Sequence, residues 1–414
     1  MQTRVLGGTR DWRDEPYVFP SDTHNISILP PSMKTNPLSS VCTKHCRTSV
    51  NKVRCPINTC KWMPNGSRLV TGTATGEFTL WDGMAWNFLT IQQAHTSAVR
   101  DMVWSHDAMW MLTSDNNGEV KYWAPNLNNV KSFVAHSECC RALRMSPNDQ
   151  KLATCSDDST VKIWDFAMAQ EEKVLTGHGW DVKTLDWHPT KSVIASGSKD
   201  NQVKVWDARS GQHLQTLHGH KNTVTTLQFN QNGNWLLTGG KDQVLRVYDL
   251  RMFRELQHFQ GHNKEVSMLK WHPIHQDLFA SAGIDGQLMF WLVGTEHCVD
   301  EITEAHDGMI WCMDWHPLGH LLCTGSNDQT TKFWCRQRPG ADLPSARMGI
   351  TEDLDDHGNV RRMRRFGDRG GGFKRGRDDN GGGDRGGFDR GGQRGRYENP
   401  NLASLGNGPP PRRY

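Results

Sequence analysis

The stretch GSKDNQVKVWD, residues 197–207, sets the frame for the whole chain, because the chain writes it repeatedly. CSDDSTVKIWD ends at Asp165, GGKDQVLRVYD at Asp249 and GSNDQTTKFWC at Cys335. Each copy opens with small or polar residues, passes an Asp, and then alternates apolar residues up to an aromatic. That is the pattern of a turn followed by a half-buried strand. The aromatics that close the copies are Trp81, Trp123, Trp164, Trp206, Tyr248, Trp291 and Trp334, spaced by 42, 41, 42, 42, 43 and 43 residues.

A period in the low forties, with a His early and an aromatic late, is the signature of WD-repeat propeller blades. His95, His136, His178, His220 and His306 each stand 28 residues before their aromatic, and His262 stands 29 before Trp291. Asp158, Asp200, Asp242, Asp285 and Asp328 sit six residues before theirs. The expected structural pairs are therefore His136 with Asp158, His178 with Asp200, His220 with Asp242, His262 with Asp285, and His306 with Asp328. Ser156, Ser198 and Ser326 fill the expected Ser/Thr place, while Gly240 and Gly283 do not. Repeat one has Val53 where His belongs and Thr75 where Asp belongs; repeat two has Asn117 in the Asp place.

Seven aromatics imply an all-β fold, a seven-bladed ring with its edges closed. The first three-strand unit covers about residues 53–82 and the last about 306–335. The missing outer strand of the last blade should come from residues 40–50, within SSVCTKHCRTSV. This divides the chain into an N-terminal extension (1–38), the propeller (39–338) and a C-terminal tail (339–414). The stretch 361–396 holds twelve Lys/Arg against five Asp, so the rest of the chain is slightly acidic although the whole carries a net charge of +3. The tail is rich in Gly and Arg, with Arg-Gly-Gly at Arg369, Arg385 and Arg390. It has too little apolar content for a core and is expected to be disordered. Charge together with Arg and aromatic stacking makes RNA its expected partner, and a merely solubilising tail, which the interspersed Asp residues favour, is the alternative. No apolar run approaches the ~18 residues of a membrane span, and the N-terminus lacks the apolar stretch of a secretory signal. Eleven scattered Cys without a Cys-x-x-Cys pair fit reduced thiols in a nuclear or cytosolic protein.

The regular His–Asp spacing marks a blade device rather than a catalytic or metal centre. The triplet Trp-His-Pro recurs at Trp187, Trp271 and Trp315, always at the same repeat position, where Pro turns the chain at a strand end. Cys42, His45, Cys46, Cys55 and Cys60 are the best metal candidates, but their spacings fit zinc only loosely. No phosphate loop, Gly-x-Ser-x-Gly or His-Glu-x-x-His occurs. The expectation is a protein without catalytic residues, metal or cofactor.

The stretches TNPLSSVCTKHCRTSVNKVRCPINTCKWMPNGSRLVTGTATGEFTLW, NNVKSFVAHSECCRALRMSPNDQKLATCSDDSTVKIWDF and WHPLGHLLCTGSNDQTTKFWCRQRPG closely resemble the WD-repeat subunit of the cleavage and polyadenylation specificity factor. That family holds yeast polyadenylation factor subunit two and the plant flowering-time regulator FY. The resemblance runs from about residue 30 to 340 and includes linkers that generic propellers do not share. It implies a nuclear, non-catalytic subunit of the pre-mRNA 3′-end processing machinery. The implied partners are the polyadenylation signal of the pre-mRNA, a zinc-finger subunit, a large multi-propeller scaffold subunit, a cleavage endonuclease and poly(A) polymerase. The family's RNA contacts map onto Lys52, onto Phe88 as an aromatic that stacks in the bound signal, and onto Ile91 beside it. These two contacts, on blade one and its approach, should lie within one ligand's reach. The family's basic N-terminal arm has no counterpart before Pro30, where only Arg4, Arg10 and Arg13 are scattered. A propeller that docks proteins and leaves RNA to other subunits is the alternative reading.

Overall fold

A computed structural model describes residues 36–337. The tail, with Arg369, Arg385 and Arg390, and the N-terminal extension up to residue 35 lie outside the described residues, so the expectation of tail disorder does too.

Seven four-stranded antiparallel sheets form a closed β-propeller, and one short 3-10 helix, Pro37–Ser40, precedes them. Blade 1 runs from the channel outward as Ile57–Trp62, Arg68–Thr73, Glu77–Asp82 and Phe88–Gln93. Blades 2 to 6 follow in chain order, with Val99–Trp104, Cys140–Met145, Val182–Trp187, Val224–Phe229 and Val266–Trp271 as their inner strands. Blade 7 takes three strands from Ile310–Trp315, Leu321–Ser326 and Thr330–Cys335, and its fourth from the N-terminal side, Lys44–Val50. The closing strand pairs antiparallel with Thr330–Cys335, His45 opposite Trp334 and Val50 opposite Thr330. It even carries a bulge at the repeat aromatic, between His45 and Arg47, where other outer strands carry theirs. The expected closure by residues 40–50 is therefore met.

The sheets face one another, so the second strand of each blade is covered on both sides. Met111–Asp115 and Leu278–Gly283 are buried throughout. Between blades 5 and 6, for example, Leu237, Val247, Val266, Trp271, Phe279 and Trp291 form one cluster. Burial of each such side chain contributes about 1.5–3 kcal/mol. The Trp-His-Pro histidines join blades. His188, His272 and His316 donate from Nε2 to the carbonyls of Gly233, Gly319 and Gly66 in the next blade, at 2.8, 3.0 and 3.2 Å. Their Nδ1 atoms accept backbone N–H groups of Thr190, Ile274 and Leu318. At Gly66 and Gly319, φ is +69° and +71°, and a Cβ would stand 2.4 and 2.5 Å from the approaching imidazole, so glycine alone fits.

Candidate nucleic-acid interface

The repeated polar residues form networks inside the blades. In blade 3, His136 Nδ1 donates to Asp158 at 2.7 Å, and its Nε2 accepts from the Thr154 hydroxyl at 2.7 Å. Trp164 Nε1 donates to the same hydroxyl at 2.9 Å. The arrangement recurs as His178–Asp200 with Ser196, His220–Asp242 with Thr238, and His306–Asp328 with Thr324. All four histidines are buried. Donors and acceptors are used up internally, which leaves these groups to hold turns.

Three expectations are corrected. The bridging hydroxyl lies two residues before the one read from the sequence: Ser156, Ser198 and Ser326 instead accept the backbone N–H of Asp158, Asp200 and Asp328. Blade 5 therefore has its bridge, Thr238, although Gly240 stands in the presumed place. In blade 6, His262 bonds Ser281 at 2.6 Å, but its Nδ1 makes no hydrogen bond to Asp285 or to any other described residue. The extra residue between His262 and Trp291 shifts the ring out of line. In blade 2 the carboxylate is present after all. Asp115, at a strand end, stands 3.5 Å from His95 Nδ1 with both side chains fully buried. Blade 1 has no such His; Thr71 accepts from Trp81, the Thr73 and Thr75 hydroxyls share a hydrogen bond at 2.9 Å, and Thr75 donates weakly to the Cys55 sulfur at 3.8 Å.

The five residues weighed for zinc do not converge. Cys42 is buried ahead of the closing strand, His45 and Cys46 lie on it, and Cys60 sits on the inner strand of blade 1 with its sulfur 3.5 Å from that of Cys323. His45 bonds Thr48, and Cys55 contacts the Val53 carbonyl.

Lys52, Phe88 and Ile91 meet at the seam between blades 7 and 1. Phe88 opens the outer strand of blade 1 opposite Trp81, and Ile91 stands opposite Thr79. A bulge at Leu89 lets Phe88 and Ile91 share one sheet face, since Thr79 and Trp81 share theirs. That face is the one packed toward blade 7, where Trp81 joins Cys312, Cys323 and Phe333. Phe88 leans edge-on against Trp81 with ring centroids 6.2 Å apart. Exposed Lys52 places its ammonium 4.8 Å above the centre of the Phe88 ring. Phe88 and Ile91 are half-buried, while Val53, Arg54, Met84 and Leu89 around them are exposed.

Two residues that sequence reasoning missed hold this seam. Arg47, on the closing strand, donates to the Ala85 carbonyl at 2.7 Å, and Ser49 donates to that of Trp86. Trp86 itself stacks on Phe333 of blade 7, 5.2 Å between centroids and 18° between planes. Residues 82–87, the loop that launches Phe88, are thus fixed by the strand that delivers Lys52. The seam offers a cation over an aromatic face, flanked by exposed cations and apolar groups. Those groups suit a phosphate and a base.

The description "WD domain, G-beta repeat" matches seven segments, residues 41–82, 86–124, 127–165, 169–207, 211–249, 253–291 and 297–335. Together with the geometry they define a WD-repeat propeller. Among curated proteins, polyadenylation factor subunit 2 of Cryptococcus neoformans is 50% identical over 352 residues, which make up 84% of this chain and 49% of that protein. The proteins of the same name from Schizosaccharomyces pombe and Candida albicans are 46% and 42% identical, with 77% and 72% of this chain covered and 68% and 60% of theirs. The chain belongs to the polyadenylation factor subunit 2 family, and it spans about half the length of the Cryptococcus relative.

Proposed function

We propose that this chain is a non-catalytic subunit of the nuclear machinery that cleaves and polyadenylates pre-mRNA, and that its blade 7–blade 1 seam contacts the polyadenylation signal. The observation that carries the reading is the position of Lys52 over Phe88 on an accessible rim, in a chain of this family. In this reading an incoming base displaces the ammonium from the ring and stacks on Phe88 against Ile91, while Lys52 moves to the adjoining phosphate. Arg369, Arg385 and Arg390 add a sequence-independent hold on flanking RNA. The zinc-finger and multi-propeller subunits complete the site, and the endonuclease and poly(A) polymerase of the same assembly do the chemistry.

Binding of the chain, assembled with its zinc-finger partner, to AAUAAA-containing and scrambled RNA tests this. Phe88→Ala should cost about 1–3 kcal/mol on the signal RNA. Lys52→Ala should cost less, equally on both RNAs, with a shallower salt dependence. Unchanged melting temperatures would separate these losses from misfolding. If both variants bind both RNAs as the parent does, the propeller is a protein scaffold and RNA is read elsewhere.

A further inference from the structure

The side chains that line the channel change character with depth. Deep in the channel, three cations face three carboxylates. Arg144 lies between Asp101 and Asp186 at 2.6 and 3.1 Å, and Asp314 lies 3.6 Å from both Lys61 and Lys270. At the end that carries the Asp turns, the channel opens into a cavity of about 440 Å3 with two unlike walls. Arg100, Arg141 and Lys183 of blades 2 to 4 line one wall; Ile284, Met309 and Trp311 of blades 6 and 7 line the other. Arg141 and Lys183 divide Asp157 between them, both at 2.8 Å. Arg100 bonds the neutral amide of Asn116 at 2.6 and 3.0 Å and is in no ion pair among the described residues. On the other wall Trp311 is 40% exposed.

Such a mouth selects an apolar side chain flanked by carboxylates, and it has room for two or three side chains rather than a folded partner. The chain carries that pattern in TEDLDD, residues 351–356, where Leu354 stands between Glu352, Asp353, Asp355 and Asp356. Its reach is sufficient. Thr330–Cys335 starts at the turn bearing Asp328 and runs away from the mouth, so the chain leaves the propeller at the opposite end. Climbing a six-residue strand and crossing four strands takes about 40 Å. The fifteen Cα-to-Cα steps from Gln337 to Glu352 span up to about 50 Å. The basic run that begins at Arg361 is a rival partner for the carboxylates, but it offers Leu354 no apolar wall.

We infer that the acidic segment 351–356 docks in the channel mouth of its own propeller, with Leu354 against Trp311 and Met309 and its carboxylates on Arg100, Arg141 and Lys183. Photo-crosslinking of the full chain carrying Leu354→p-benzoylphenylalanine tests this. The expected adducts fall on Met309 or Trp311 and join light to light and heavy to heavy in a mixture of unlabelled and 15N-labelled chains. Arg100→Glu should lower their yield at least about fivefold, as expected for one exposed charge pair lost and one repulsion gained. The joint variant Asp353→Asn, Asp355→Asn, Asp356→Asn, which alters no described residue, should do the same. Adducts on residues 361–396, light–heavy adducts, or yields indifferent to both variants would overturn the proposal. So would a short RNA that crosslinks to Trp311 equally well with the acidic residues present or neutralised.

Discussion

Asp115 faces His95 Nδ1 from the end of a strand at 3.5 Å without a hydrogen bond, whereas Asp158, Asp200 and Asp328 bond their histidines from the following turn. Asp115 accepts from Ser97 at 2.9 Å and from the backbone N–H groups of Asn117 and Glu119. Its replacement by Ala should cost about 1–3 kcal/mol, because three hydrogen bonds lose their acceptor and the buried His95 ring loses the carboxylate facing it. Asn117→Ala, in the place the repeat reserves for Asp, should stay within about 0.5 kcal/mol. Denaturant midpoints would compare the two; equal losses would return the role to position 117. Such shifts are hard to see in a sequence. Residues two apart on a strand face the same way, so Thr154 and Ser156 present equivalent hydroxyls, and only the indole ten residues on selects Thr154. The His–Asp spacings, by contrast, were legible, because four of the five expected pairs use identical offsets.

The closing strand Lys44–Val50 was legible as an element by counting strands, since a sheet with three strands in a ring of fours demands a fourth. Lys52 and Phe88 were found through family resemblance. Their approach to 4.8 Å depends on contacts that no side-chain pattern announces: Arg47 and Ser49 bond backbone carbonyls of the neighbouring blade's loop, and any residue supplies a carbonyl. Trp86→Ala removes the ring that fills the seam against Phe333. It should cost about 1–3 kcal/mol, less than a fully buried Trp, because Trp86 is only half-buried. Amide exchange should rise in Lys44–Val50 and residues 82–90 while blades 3 to 5 keep their protection. Uniform exchange across the ring would mean that the seam is not a separate unit.

For the whole molecule, the blade-joining histidines predict a dependence on acid. Burial pushes His272 down to about 3 and His316 to about 4, and likewise His262 to about 4. The unfolded chain takes up these protons near pH 6.5 and the folded chain does not. Stability should therefore be level above about pH 7 and fall as pH drops from 6.5 toward 4. Urea unfolding at steps across that range would show it, and a gain on acidification would contradict it. The joints also share a direction. His188, His272 and His316 reach forward to the next blade, and so do Asp186 to the Phe229 N–H, Gln228 to that of Trp271 and Asp314 to that of Trp62. Each blade thus has a head and a tail, and neither matches itself. The propeller is a heterologous ring drawn within one polypeptide, and rings of that kind turn into filaments when they fail to close. The seam at blades 7 and 1, which gathers Lys52, Phe88 and Ile91, is thereby also what keeps the molecule from recruiting a stranger's first blade in place of its own.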